Sequence, residues 1–483
     1  MRCHTGYYRP WWPGMWNLEL KRGKVQPLYK QIVAFIEQAV ENGLLNGGER
    51  LPSERAMGEL LGVNRSTIVR ALDDLEDRGV LLRRRGSGSY VNGEKWGLRQ
   101  YPIMNWQTPA RARPDPAAAA RERLVVRYRQ EARQSGRTLT DCSGSEPAAD
   151  LLPSLTLPEP AWSEVLSREL RAEGSLTGLS FFRETVREHL RVSLGLSVER
   201  EQILITSGAR QALFLISQCL LKPGDAVGIE APSYFYSLPL FQAAGLRLFA
   251  LPLDREGVVV EGLDAVVARR GLRMIFLNPV FQNPTGHVMS RARKEELVGY
   301  CRARRLPIVE DDAYSLLGFS PNTGVSPIKC QDTRGQVIYV GSLSSYMGPK
   351  IRAGWLAAPK EIVDRLGEVR LHMDAGLSVL PQLLADSYLR LTYPEHVVSL
   401  RARLAKRSAA LQDKIGAEFG GYFDWFPPSG GLHLYLYSRK GQQVKDSTLL
   451  EKMLRCGLIP APGSDFGDAG NNFSMNFSKF SEI

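Results

Sequence analysis

A chain of 483 residues with 43% hydrophobic content exceeds one ordinary domain and can bury more than one core. Its six cysteines include no CxxC pair and no histidine at ligand spacing, which argues against a metal site and for a reduced, cytoplasmic setting. No apolar run approaches the roughly 20 residues of a membrane span, and Met1 to Trp16 lacks the apolar stretch of a signal peptide, so no membrane partner is expected.

The net charge of +11 is concentrated at the front. Residues 1–91 hold 14 Lys/Arg against 10 Asp/Glu, and residues 92–140 hold 10 against 4. Such a distribution suits a polyanion, with nucleic acid the leading candidate. Met15, behind the Trp11-Trp12-Pro13-Gly14 leader, is a second possible start.

The first domain is expected over residues 16–92. Leu28, Ile32, Phe35, Ile36 and Val40 recur at helical spacing up to Asn42-Gly43. Leu51-Pro52-Ser53 supplies a cap for a short second helix ended by Gly62. Asn64 is positioned to cap a third helix, in which Ile68, Leu72 and Leu75 share a face and Gly79 closes the end. Arg65, Ser66, Thr67 and Arg70 are then left on the outer side of that helix, as in a helix-turn-helix that offers its second helix to the major groove. Leu81 to Arg85 and Ser89-Tyr90-Val91 flank Gly86-Ser87-Gly88, a hairpin with a bare tip and three arginines beside it. Alone, Arg83 to Arg85 read equally well as a solvated basic strand; behind a helix-turn-helix, contact with the DNA backbone or minor groove explains them better.

The segments Pro27-Leu28-Tyr29, Gly48 to Arg55, Leu61 to Thr67 and Gly86 to Val91 resemble the winged-helix domain of GntR-family regulators. The resemblance implies operator DNA as partner, touched by Arg55, Arg65, Ser66, Thr67, Arg70 and the wing residues Arg85, Gly86, Ser87 and Gly88.

Residues 93–140 read as a basic, partly helical linker. Pro109, Pro114 and Pro116 break it, and the arginine-rich stretch from Arg121 to Arg133 shows no strong apolar face.

The third region, 141–483, alternates short apolar runs with helical stretches. Gln202 to Thr206, Ala226 to Ile229, Met274 to Leu277, Pro307 to Val309 and Val337 to Val340 suit buried parallel strands with functional residues at their C-terminal ends. The fold class is therefore α/β with a mostly parallel sheet. At those ends stand Ser207-Gly208-Ala209, opening a helix suited to a phosphate, then Tyr234, the turn Asn278 to Gly286 with Asn283, then Asp311 and Tyr314, and finally Ser342, Ser344 and Arg352. Singly each has an ordinary explanation as a turn, a solvated loop or a packed ring.

In order, they resemble the fold-type-I aminotransferases, a large α/β domain with a smaller C-terminal α+β subdomain. The resemblance implies a pyridoxal phosphate pocket: Asp311 on the pyridine nitrogen, Asn283 and Tyr314 on the ring hydroxyl, Tyr234 stacked on the ring, and Ser207, Gly208, Ala209, Ser342, Ser344 and Arg352 on the phosphate. A GntR-like domain joined to such a domain is similar to the MocR subfamily of bacterial regulators, which implies a homodimer, head-to-tail, that binds a small-molecule effector.

Two positions depart from that family. Ser345 stands where the resemblance places the lysine that joins the cofactor aldehyde, and serine cannot form an imine. Ser474, in Ser474-Met475-Asn476-Phe477, stands where an arginine clamps a substrate carboxylate. The spacing of Lys350 and Lys479 does not suit them as substitutes. No catalytic residue is assigned and no enzyme is expected; the reading is a regulator that senses pyridoxal 5'-phosphate, pyridoxamine 5'-phosphate or an amine adduct, held noncovalently. An aminotransferase or lyase, and a ligand-independent DNA-binding dimer, are the alternatives.

Overall fold

The structure, a computed structural model, describes residues 18, 20, 26–41, 44–45, 47–84, 86–92, 116–154, 176–320, 325–374, 376–439 and 446–481. The first helix, α1 (Leu28–Glu41), buries Ile32, Ile36 and Val40 against α3 (Arg65–Asp77), which contributes Ile68, Leu72 and Leu75. Between them, α2 (Glu54–Leu61) starts where Ser53 accepts from the Ala56 amide at 3.2 Å and stops at Gly62, whose φ of 61° is the left-handed conformation glycine adopts cheaply. Ser53→Ala should lower the stability of this domain by about 1 kcal/mol, measured by denaturant unfolding. Asn64 occupies the N-cap position of α3 without a side-chain capping bond, contrary to expectation; the helix is held by the packing of Ile68, Ala71, Leu72 and Leu75. Strands β1 (Leu81–Arg84) and β2 (Gly88–Val91) pair antiparallel, Leu81 opposite Val91 and Arg84 opposite Gly88, completing the winged helix.

The basic stretch that follows holds a helix, α4 (Pro116–Ser135), which is not free. Leu124, Val125 and Tyr128 pack on the core of the large domain, and the Tyr128 hydroxyl donates to Glu451 at 2.9 Å. Arg121 pairs with Asp465 at 3.1 Å. Arg121 and Arg127, the latter paired with Glu451 at 3.6 Å, thus commit part of this positive charge to the large domain.

The large domain opens with β3 (Thr140–Asp141) and α5 (Ser180–Leu194), followed by β4 (Ile203–Thr206), α6 (Ala209–Cys219), β5 (Ala226–Glu230), α7 (Pro239–Ala243) and β6 (Arg247–Leu251). Next come the small hairpin β7 (Leu253–Asp254) and β8 (Gly257–Val258), then α8 (Leu263–Arg270), β9 (Leu272–Leu277), α9 (Arg291–Ala303), β10 (Ile308–Asp312), β11 (Val337–Ser342), α10 (Ser344–Met347) and β12 (Gly354–Ala357). The principal sheet has seven strands in the order β4-β12-β11-β10-β9-β5-β6. All its pairings are parallel except those of β12, which runs antiparallel to both β11 and β4. The central strands β10 and β11 are buried throughout, and β9 everywhere except Arg273, as befits apolar parallel strands covered on both faces.

Helices α11 (Lys360–Asp374), α12 (Val379–Ser387) and the long α13 (Tyr393–Phe419) lead into a smaller α+β subdomain. It contains β13 (Phe423–Trp425), β14 (His433–Ser438), α14 (Asp446–Arg455), β15 (Leu458–Ile459), β16 (Ala461–Pro462) and β17 (Phe473–Asn476), with an antiparallel sheet in the order β13-β14-β17-β16. No described helix is long and apolar enough to cross a membrane.

The winged helix sits against the edge of the principal sheet. Arg247, at the start of the edge strand β6, donates from Nη1 to the Arg78 carbonyl at 2.7 Å and from Nε to the Gly224 carbonyl at 2.8 Å. Arg270 reaches the Glu76 carbonyl at 3.5 Å. Both acceptors belong to the C-terminal turn of α3, the negative end of the helix dipole, where a cation is favoured.

Candidate functional site

The strand ends gather the residues that the sequence singles out. Three successive carboxylates lie on β10, and alternation along the strand sends Asp311 to one face and its neighbours to the other. Glu310 accepts from the Ile328 and Lys329 amides at 2.7 and 2.9 Å, and Asp312 from the Ser315 amide and the Tyr339 hydroxyl, each at 2.9 Å. Asp311 is less well served: the Tyr234 hydroxyl donates to its Oδ2, and its Oδ1 has no hydrogen-bond partner. Burial pushes the Asp311 carboxyl up to about 8, with a smaller contribution from the charge of Asp312. Burial likewise moves Glu230 and Glu310 up to about 7.

Asn278, at the end of β9, holds this corner together. It donates from Nδ2 to the Asp311 carbonyl at 2.8 Å and accepts at Oδ1 from the Asn283 amide at 2.7 Å. Asn283 donates to Ser145 Oγ at 3.3 Å and to the Tyr314 hydroxyl at 3.4 Å, while its own Oδ1, buried, has no partner. Tyr314 also meets His433 Nε2 at 3.3 Å, and burial depresses that imidazole to about 3, leaving it neutral.

The second cluster lies at the start of α6. Gly208 is its N-cap, with φ of 85°, and a Cβ there would come within 3.4 Å of the Arg352 guanidinium. Gly354 approaches even more closely, since a Cβ on it would meet Gly208 Cα at 2.7 Å. Arg352 itself adopts a positive φ of 56°. Burial and the neighbouring charge of Arg210 both hold its pKa below the ordinary guanidinium value, and no carboxylate among the described residues offsets them. Ser342 Oγ lies 3.0 Å from Ser344 Oγ and accepts from the Ser344 amide at 3.2 Å. The Ser207 amide is taken by Gln211 Oε1 at 2.7 Å. The α6 amides, the Arg352 guanidinium with the charge of Arg210 near it, and two hydroxyls thus lie together with no acid among the described residues shown to balance them, an arrangement that suits a phosphate.

Ser345 is buried, 8% exposed, on the short α10 next to these hydroxyls. Ser474 is buried in β17, opposite Tyr435 and Ala461. Lys350 is exposed, and Lys479 donates to the Pro147 carbonyl at 3.0 Å. Sequence reasoning passed over Ser145, His433 and Arg210. Ser145 and His433 enter from segments far along the chain and carry no motif, whereas Arg210 adjoins the quoted Ser207-Gly208-Ala209.

On the winged helix, Arg55, Arg65, Ser66 and Arg70 are exposed and Thr67 is half-buried. Arg55 pairs with Glu59 at 3.2 Å, Arg65 with Glu54 at 2.8 Å, and Arg70 lies 4.2 Å from the centre of the Tyr29 ring. Arg85 lies outside the described residues. At the wing tip Gly86 and Gly88 are exposed, and Ser87 Oγ lies 2.7 Å from the Tyr90 hydroxyl.

Comparison with known proteins agrees with both halves. Residues 28–91 match the family described as bacterial regulatory proteins, gntR family, and residues 149–470 match aminotransferase class I and II. The HTH-type transcriptional regulator YdfD of Bacillus subtilis is 32% identical, over 94% of this chain and 93% of its own. NorG of Staphylococcus aureus, also an HTH-type transcriptional regulator, is 26% identical over 89% and 95% of the two chains. Among solved structures, kynurenine aminotransferase of Pyrococcus horikoshii, in complex with PMP, superposes with a TM-score of 0.64 at 25% identity, covering 78% of this chain and 92% of its own. The α-aminoadipate aminotransferase LysN of Thermus thermophilus gives 0.60 at 27% identity over 70% and 87%. The chain belongs to the GntR family of transcription regulators, in the MocR-like architecture that joins a winged helix to an aminotransferase class I and II domain.

Proposed function

We propose that this regulator senses a vitamin B6 phosphate, pyridoxal 5'-phosphate, pyridoxamine 5'-phosphate or an amine adduct of the cofactor, held without a covalent bond. The observation that carries this reading is a pair of unmet needs at the strand ends of the principal sheet. The buried Asp311 Oδ1 lacks a donor, and the α6 terminus with Arg352 and Arg210 lacks an anion. A protonated pyridine ring carrying a phosphate meets both, and Asn283 Oδ1 has capacity for the ring hydroxyl. When bound, the group supplies a ring cation and a phosphate dianion. Ser345 offers no amine for covalent capture, and Ser474 no cation for a substrate carboxylate; both favour sensing over turnover.

The residues divide the work. Asp311 would orient the ring and keep its nitrogen protonated, Tyr234 would stack on the ring, and Ser207, Gly208, Ala209, Ser342, Ser344 and Arg352 would hold the phosphate. The functional unit is a head-to-tail homodimer that presents two winged helices to operator half-sites, and light scattering on the purified protein measures its mass. Ligand binding shifts operator affinity only by its differential affinity for the two dimer arrangements.

Calorimetry with pyridoxamine phosphate tests the reading, because that form has no aldehyde and depends least on a lysine. Saturable binding that weakens about 10- to 100-fold in Arg352→Ala is the expected result. No heat with either B6 phosphate would remove the proposal.

A further inference from the structure

On the winged helix, Glu54 bridges two of the arginines that the sequence places toward DNA. Glu54, the first residue of α2, accepts at Oε2 from both Nε and Nη2 of Arg65, at 3.0 and 2.8 Å. Its Oε1 accepts from Nη2 of Arg83 on β1 at 2.7 Å. Arg83 in turn pairs through Nη1 with Asp73 of α3. A single carboxylate therefore joins the N-terminal turn of α2, the N-terminus of α3 and the base of the wing. Glu54 and Arg83 are mostly covered, with 27% and 26% of their side chains exposed, whereas Arg65 is 75% exposed.

We propose that Glu54 is the positioning residue of the DNA readout, holding the Arg65 guanidinium edge-on to the major groove and fixing the wing relative to α3. The geometry supplies the reason. With Nε and one Nη2 hydrogen engaged by Glu54, the remaining donors of Arg65 lie on its outer edge, the Nη1 and Nη2 pair that matches guanine O6 and N7. A long side chain held this way has already lost much of its rotamer freedom before DNA arrives, so less is lost on binding. An acid at this position also repels phosphate, so it lowers sequence-independent affinity. The two effects have opposite signs on specific and nonspecific binding. This inference depends on α3 presenting its first turn to the bases.

The test compares the full-length protein with Glu54→Ala, Glu54→Gln and Arg65→Ala at one salt concentration. The probes are a duplex enriched by the wild-type protein from a random pool and an unrelated duplex of equal length. For Glu54→Ala we expect affinity for the enriched duplex to fall about tenfold or more while affinity for the unrelated duplex holds or rises. Glu54→Gln, which keeps one amide oxygen as acceptor, should retain part of the discrimination. Arg65→Ala should lose operator binding with its fold intact. A purely structural role for Glu54, in which its charge only favours the α2 N-terminus, would lower both affinities together with the melting temperature. That result overturns the proposal, as does an unchanged affinity ratio in Glu54→Ala or, should that variant not fold, in Glu54→Gln. If Arg65→Ala keeps its discrimination, the placement of α3 itself is wrong, and the role of Glu54 falls with it.

Discussion

Asp311→Asn should stabilise the ligand-free protein and abolish its affinity for pyridoxamine phosphate. In the folded state burial moves this carboxyl from its ordinary value of 3.8 up to about 8, so the folded form binds the proton more tightly than the unfolded form. Its contribution is therefore fully present below about pH 4 and is lost as the pH climbs through about 8. Asparagine has no such charge to bury, and its oxygen still accepts from the Tyr234 hydroxyl. Melting temperatures of the two proteins should coincide below about pH 4, separate progressively as the pH rises, and reach their full difference above about pH 8, with the variant higher. Calorimetry should show the opposite order for the ligand, because a neutral amide cannot keep a ring nitrogen protonated. Wild-type affinity in the variant would remove Asp311 from the ligand site.

Ser345→Lys should convert the pocket into one that captures pyridoxal phosphate covalently. The position is buried beside Ser342 and Ser344, so an amine placed there starts within the phosphate-binding corner. Mass spectrometry after borohydride reduction should find close to one cofactor per variant chain and none on the wild type. Unlabelled variant protein that nevertheless binds pyridoxamine phosphate would mean that residue 345 points away from the aldehyde.

Much of this fold was legible because its signals are local. The Ser53 cap, the Gly62 stop and the spacing of Ile68, Leu72 and Leu75 depend on neighbours in sequence, and each appears as expected. Parallel strands announced themselves as apolar runs ending in polar residues, whereas the antiparallel β12, Gly354 to Ala357, was not singled out as a strand, being short. Asn64 misled because a cap residue offers a bond that the surrounding turn decides whether to use. The docking of α4 escaped notice for a different reason. Among its described side chains, Leu124, Val125 and Tyr128 pack on the core, and Tyr128 bonds Glu451, more than 300 residues away in the smaller subdomain. In the pocket, Asp311, Asn283 and Tyr314 were found from strand ends, whereas Ser145 and His433 are brought there by tertiary contacts alone.

The seat of the winged helix on the sheet edge has an evolutionary consequence. Arg247 and Arg270 grip main-chain carbonyls of Arg78 and Glu76, and a carbonyl is supplied by every amino acid alike. The grip therefore makes little demand on side chains of the head. Arg65 stands at the opposite end of α3, about 18 Å away along a 13-residue helix. Descendants of this chain can exchange the residues that read bases, and so acquire new operators, without renegotiating how the head is carried.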